Sequence, residues 1–136
     1  IERLLAEDKK IIGAIYHIGF GEERFPLIQG IEKINLVDGT FNTYARNLTW
    51  HELNKFLDGT VKPCYHSGIG CLLIHKSIFN RFKFRIDNQQ RIGVHADSWF
   101  AADLWNAGEI NWIHTGIFCE HKNIGWDLIK ATRNRA

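Results

Sequence analysis

Three short stretches of the chain carry residue types that can do chemistry. His95-Ala96-Asp97 sets a carboxylate two positions after an imidazole, immediately before a periodic apolar segment. An aspartate in that place either caps a helix, accepting a hydrogen bond from an amide two or three residues on, or faces a cleft and takes a proton from a substrate hydroxyl. The two roles are compatible, because capping holds a base rigid. Cys119-Glu120-His121 closes an apolar run. Ligands of open α/β sheets collect beyond the carboxyl ends of strands. An imidazole there either binds a divalent cation or is an ordinary surface or hydrogen-bonded histidine. The third stretch is His66-Ser67-Gly68-Ile69-Gly70. Its two glycines allow close approach of the backbone to a ligand, and equally a plain tight turn. No Gly-Lys-Ser/Thr follows and the spacing is not G-x-G-x-x-G, so neither phosphate-binding fingerprint is present.

The elements that must position these residues follow from local pattern. Ile1, Leu4 and Leu5 have helical spacing, with Lys9 and Lys10 suited to a helix end. Ile11 to Tyr16 is short, apolar and β-branched, as in a strand buried on both faces. Gly19 to Pro26 reads as a loop. Lys33 to Val37 and Thr40 to Tyr44 flank Asp38-Gly39, a hairpin signal. Thr49-Trp50-His51-Glu52 is a capping box, opening a helix that runs to Leu57 and ends at Gly59. Val61 to Tyr65 and Cys71 to Ile74 read as extended. A short helix at Ser77 to Phe79 and an extended Phe82-Lys83-Phe84 follow, then a polar loop from Arg85 to Gly93. The clearest helix is Asp97 to Ala107, with Phe100, Ala101, Leu104 and Trp105 on one face and Gly108 past its end. Ile110 to Phe118 reads as a strand and the tail to Ala136 as an amphipathic helix. Helices interleaved with apolar strands predict an α/β domain, and the hairpin predicts a mixed sheet with flanking helices.

Composition narrows the function classes. The chain has 136 residues, one domain's worth, with no repeat or linker, so 1–136 is read as a single domain. Seventeen Lys and Arg against fifteen Asp and Glu leave +2, too balanced to demand nucleic acid or an anionic membrane as partner. The longest uncharged apolar run, Ile11 to Tyr16, is six residues, so no integral membrane segment is expected. Cys64, Cys71 and Cys119 are odd in number with no C-x-x-C pair, which reads as half-buried thiols in a reducing, cytoplasmic compartment. Asn47-Leu48-Thr49 is a glycosylation sequon that counts only in a secreted protein. Methionine is absent and the chain opens on Ile1, so a processed chain or a piece of a longer one is expected.

The order of the motifs adds a resemblance. Gly68-Ile69-Gly70-Cys71-Leu72-Leu73-Ile74-His75-Lys76-Ser77-Ile78-Phe79 and Phe82-Lys83-Phe84 come first. Asp97-Ser98-Trp99-Phe100, Leu104-Trp105-Asn106-Ala107-Gly108 and Ile117-Phe118-Cys119-Glu120-His121 follow. In that sequence they resemble the later half of a GT-A-fold nucleotide-sugar glycosyltransferase. Ile1 to Tyr16 is similar to the helix and strand that follow the family's D-x-D motif. The resemblance implies a partial GT-A-like (Rossmann-like) domain, the C-terminal, acceptor-side part of a catalytic domain. It implies Asp97 as general base of an inverting transfer to an acceptor hydroxyl, and His121 as a ligand of Mn²⁺ or Mg²⁺ on the donor diphosphate. Ser67, Gly68 and Gly70 match the loop near donor sugar and acceptor, and Trp99 would stack on a sugar ring. His95 stands where many members carry another acid. The D-x-D motif and the nucleotide-binding strands before it are missing, and no Asp-x-Asp occurs in the chain. Weak metal binding and little transfer by this chain alone are therefore expected. The implied partners are a nucleotide-sugar donor, a saccharide or other hydroxyl acceptor and the missing N-terminal half. Two alternatives stand beside this reading. One is a non-catalytic carbohydrate-binding or assembly module with Trp50, Trp99 and Trp112 as stacking platforms. The other is a metal-dependent hydrolase built on His95, Asp97 and His121.

Overall fold

The apolar run that opens at Ile11 becomes a long strand, and a computed structural model, which describes residues 1–18, 25–86 and 95–119, places it inside a five-stranded sheet. In chain order the elements are α1 (Glu2–Leu5), β1 (Ile11–Ile18), β2 (Phe25–Pro26), β3 (Gln29–Asn35), β4 (Phe41–Asn47), α2 (Trp50–Phe56), β5 (Val61–Cys64), β6 (Leu72–Ile74), α3 (Lys76–Arg81), α4 (Ala96–Asn106) and β7 (Asn111–Cys119). The fold is mixed α/β, with a mixed sheet and flanking helices. β1 and β7 run parallel, and β5 lies antiparallel on the far edge of β7. On the other edge of β1, β6 pairs with its first residues and β2 with its last, both antiparallel.

Strand alternation sorts β1 onto two cores. Ile11 packs with Ile78 of α3 and with Phe100 and Leu104 of α4, while Ile15 packs with Ile28, Leu53 of α2 and Ile113 of β7. Ile12 and Ala14 point the other way, against Leu4 of α1. A strand with both faces covered in this manner reads as a continuous apolar run. That is why Ile11 to Tyr16 was legible.

Several boundaries move. α1 is one turn and ends before Lys9 and Lys10; Lys9 lies instead over the Trp112 ring, 4.6 Å from its centroid. The hairpin strands pair from Gln29↔Asn47 to Asn35↔Phe41, around a wider turn in which Asp38 Oδ1 accepts from the amide and hydroxyl of Thr40. β3 and β4 form a separate two-stranded sheet. The mixed character of the main sheet therefore comes from the parallel β1–β7 pair among antiparallel neighbours, and not from the hairpin. Arg46 of β4 donates to both carboxylate oxygens of Glu52, at 2.8 and 2.6 Å, and also pairs with Glu32. It thereby ties the hairpin to α2, whose capping box forms as its sequence requires.

Phe82-Lys83-Phe84 joins no sheet; the Phe84 ring stacks on Phe100 with centroids 4.5 Å apart. The loop expected at 19–26 is described only at β2, the polar loop only at Arg85 and Ile86, and the tail helix lies outside the described residues. α4 closes with Gly108 at φ +74, the Gly108 amide bonding the Trp105 carbonyl and the Glu109 amide that of Leu104. This is the left-handed stop that glycine supplies at a helix end.

One irregularity shapes the end of β7. Ala14 pairs with His114 but Ile15 pairs with Phe118, so Thr115, Gly116 and Ile117 have no counterpart in β1. Thr115 anchors this bulge: its hydroxyl donates to the Thr60 carbonyl at 2.7 Å and accepts from the Gly59 amide at 2.9 Å. A side chain at Gly116 would meet the Gly59 backbone at 3.1 Å.

Candidate functional site

Three segments distant in sequence meet near the carboxyl end of β1. Tyr16, close to the end of that strand, pushes its phenol under the Gly68-Ile69-Gly70 loop. The backbone of Gly70 and Ile69 hydrogen-bonds the phenol oxygen. A Cβ added at Gly68 would lie 1.8 Å from Tyr16 Oη, and one at Gly70 would lie 2.9 Å from the ring. Gly68 also has φ +70. Both glycines are thus required by the approach of one aromatic ring, a reason that glycine alone satisfies. Burial pushes the Tyr16 phenol above its usual range, with the Asp97 carboxylate contributing in the same direction and the loop amides opposing.

Asp97 enters from the first turn of α4. His95 is the N-cap by backbone conformation, with φ −83 and ψ 159, and makes no side-chain cap bond. The expected cap at Asp97 is therefore displaced by two residues. Freed from capping, the Asp97 carboxylate accepts from the Ser98 amide at 2.9 Å through Oδ1 and meets His66 Nε2 at 3.3 Å through Oδ2.

His66 fixes the orientation of this carboxylate. It lies just beyond β5, its backbone bridged to Gln29, and is 5% exposed. Its Nδ1 accepts from the Gly68 amide at 3.3 Å, which sets the neutral tautomer with the proton on Nε2, aimed at Asp97. Burial holds the His66 imidazole below its ordinary range, and Asp97 restores only part of the shift. The unfolded chain protonates this histidine first, so stability falls as pH drops from above the unfolded value through the lower folded one. His66→Gln keeps an amide donor toward Asp97 but does not titrate. The expected result is a shallower loss of urea midpoint in the variant than in wild type between about pH 7.5 and 5.5. Parallel curves would remove His66 from this role.

The other expected site residues are placed as follows. Ser67 is buried, its Oγ 2.9 Å from where a Cβ on Gly13 would stand, so it packs against β1 beneath the loop. Gly68 is buried and Gly70 exposed. Trp99 is half-buried with the Arg85 guanidinium 4.4 Å over its ring. His95 is exposed at the helix start. His121 lies outside the described residues, two positions past the end of β7. Trp50 is exposed at the head of α2, and Trp112 packs with Ile12 on the sheet face opposite α4. Trp105, expected in the core, is 50% exposed and sets its ring edge to Tyr65 at 6.0 Å. These two rings border a cavity of about 500 Å³ at the far end of α4 from Asp97.

Sequence reasoning assigned no role to Tyr16 or His66. Tyr16 gave no local signal, because it reads as the last apolar residue of a strand. The signal for His66 was its place directly before Ser67-Gly68.

Among the described residues no three His, Cys, Asp or Glu side chains gather as a metal ion would need. No helix among them is long and apolar enough to cross a membrane. Comparison with family models, curated proteins and solved structures finds no match to this chain.

Proposed function

We propose that the chain is the acceptor-side part of a GT-A-fold glycosyltransferase that moves a sugar from a nucleotide-sugar donor to an acceptor hydroxyl with inversion. The observation that carries this reading is that His66 joins Asp97 to the Gly68–Gly70 loop, its Nε2 meeting the carboxylate at 3.3 Å and its Nδ1 accepting from the Gly68 amide, so that two motifs about thirty residues apart share one histidine. Asp97 is the general base. Its carboxylate, held by the Ser98 amide and His66 Nε2, takes the proton of an acceptor hydroxyl as that oxygen attacks the anomeric carbon and the bond to the nucleotide diphosphate breaks. The exposed rim of Ile69 and Gly70 borders the acceptor. The resemblance assigns the donor diphosphate and its Mn²⁺ or Mg²⁺ to His121 and to a D-x-D segment that this chain does not contain. The described residues do not make such a site by themselves, and the proton transfer rests on Asp97.

The absence of any Asp-x-Asp supports one further reading, a non-catalytic carbohydrate-binding module. That reading places saccharide on tryptophan rings, Trp50, Trp99 or Trp112, and transfer itself separates the two. The first test is a titration of the isotope-labelled chain with methyl hexosides, followed by NMR. Saturable shifts are expected at Gly68, Ile69, Gly70 and Asp97. Shifts confined to other regions, or none, would count against an acceptor site here.

A further inference from the structure

The sequence presents three unpaired cysteines, yet the fold brings two of them together. Cys71, directly after the glycine loop, gives its carbonyl to the Ala14 amide on one side of β1. Cys119, the last residue of β7, pairs with Tyr16 on the other side. Both side chains join the cluster around Ile12 and Ala14, and their sulfurs stand 3.0 Å apart across the small Ala14. Two thiolates bound to one zinc, each at about 2.3 Å in tetrahedral array, stand further apart than this. The spacing suits sulfur bonded to sulfur, which requires a further approach of about 1 Å. Both cysteines are partly exposed, so a small oxidant reaches them.

We propose that Cys71 and Cys119 are an oxidisable pair that closes into an intramolecular disulfide when the protein meets a low-molecular-weight disulfide. One cysteine, as thiolate, attacks a sulfur of oxidised glutathione, forming a mixed disulfide and releasing one glutathione thiolate. The second cysteine, as thiolate, attacks the protein sulfur of that mixed disulfide and expels the other glutathione. The two protein thiols lose two electrons and two protons, and oxidised glutathione becomes two molecules of reduced glutathione. The cross-link fastens the loop that clamps Tyr16 to the end of β7. Cys64 takes no part: it packs with Ile15 and Ile113 on the other side of the sheet.

The test is incubation of the folded chain with oxidised glutathione, followed by thiol counting and non-reducing peptide mapping. Two of the three thiols are expected to disappear, the intact mass to fall by two hydrogens, and one peptide pair to join Cys71 to Cys119. Cys64→Ser should leave that product unchanged. Cys71→Ser and Cys119→Ser should each abolish it. Stable glutathione adducts on both cysteines without a cross-link, a cross-link through Cys64, or three thiols left free would each overturn the proposal. The mapping is made on the wild-type chain, so its result stands even if a serine variant fails to fold.

Discussion

Gly68→Ala is expected to cost about 2–5 kcal/mol of stability, measured as a shift of the urea midpoint at unchanged slope. Two effects add. An L side chain in the left-handed region costs about 1–2 kcal/mol. In addition the new methyl would stand 1.8 Å from Tyr16 Oη, so the ring must leave the loop or the loop must open. The molecule provides its own control. Gly39, in the hairpin turn, has φ +82 but nothing within 4 Å of an added Cβ. Gly39→Ala therefore reports the backbone cost alone, and the excess at Gly68 reports the Tyr16 contact. Placing Gly68→Ala in a Tyr16→Ala background should bring the two costs close together, because the atoms in conflict are gone. Equal costs for Gly68→Ala and Gly39→Ala in the wild-type background would show that Tyr16 is not clamped as described.

The second large effect concerns chemistry. In a polypeptide where a D-x-D-bearing donor half precedes Ile1, Asp97→Asn is expected to lower kcat by roughly 10²–10⁴, the usual worth of a positioned general base. Asparagine has nearly the same shape and can still accept from the Ser98 amide, so folding should be retained and KM should move little. His66→Gln should lose far less, since it alters the support of the proposed base and leaves the Asp97 carboxylate in place. Near-normal turnover by Asp97→Asn would sink the base assignment. Detectable saccharide binding with no transfer by either form would favour the non-catalytic module.

What the sequence disclosed was local. The capping box at Thr49, the glycine stop at Gly108 and the doubly buried strand from Ile11 each depend on neighbours within a few residues, and each was legible. The hairpin was legible as a hairpin but not as a separate sheet, because a turn signal says nothing about what a strand's outer edge meets. Asp97 was recognisable as the residue at a helix start. Its relation to the cap was not, since a displacement of two residues turns a cap into a carboxylate that meets His66. The least legible part was the site itself. Tyr16, His66 and Asp97 come from three segments, and only tertiary packing brings an ordinary strand tyrosine beneath a glycine loop. The thiol pair was hidden for the same reason, the two cysteines being 48 positions apart in sequence.

The bulge in β7 bears on how this molecule tolerates change. Thr115, Gly116 and Ile117 have no pairing partner in β1, so they give β7 extra length that Thr115 fastens at Thr60. The strand is held in the sheet at Trp112 to His114, and its last residues, Phe118 and Cys119, pair again with Ile15 and Tyr16 after the bulge. A residue inserted or removed there would leave the upstream pairing intact and turn the final side chains to the opposite face, since neighbours along a strand alternate. The end of β7 is accordingly an adjustable terminus on a fixed sheet.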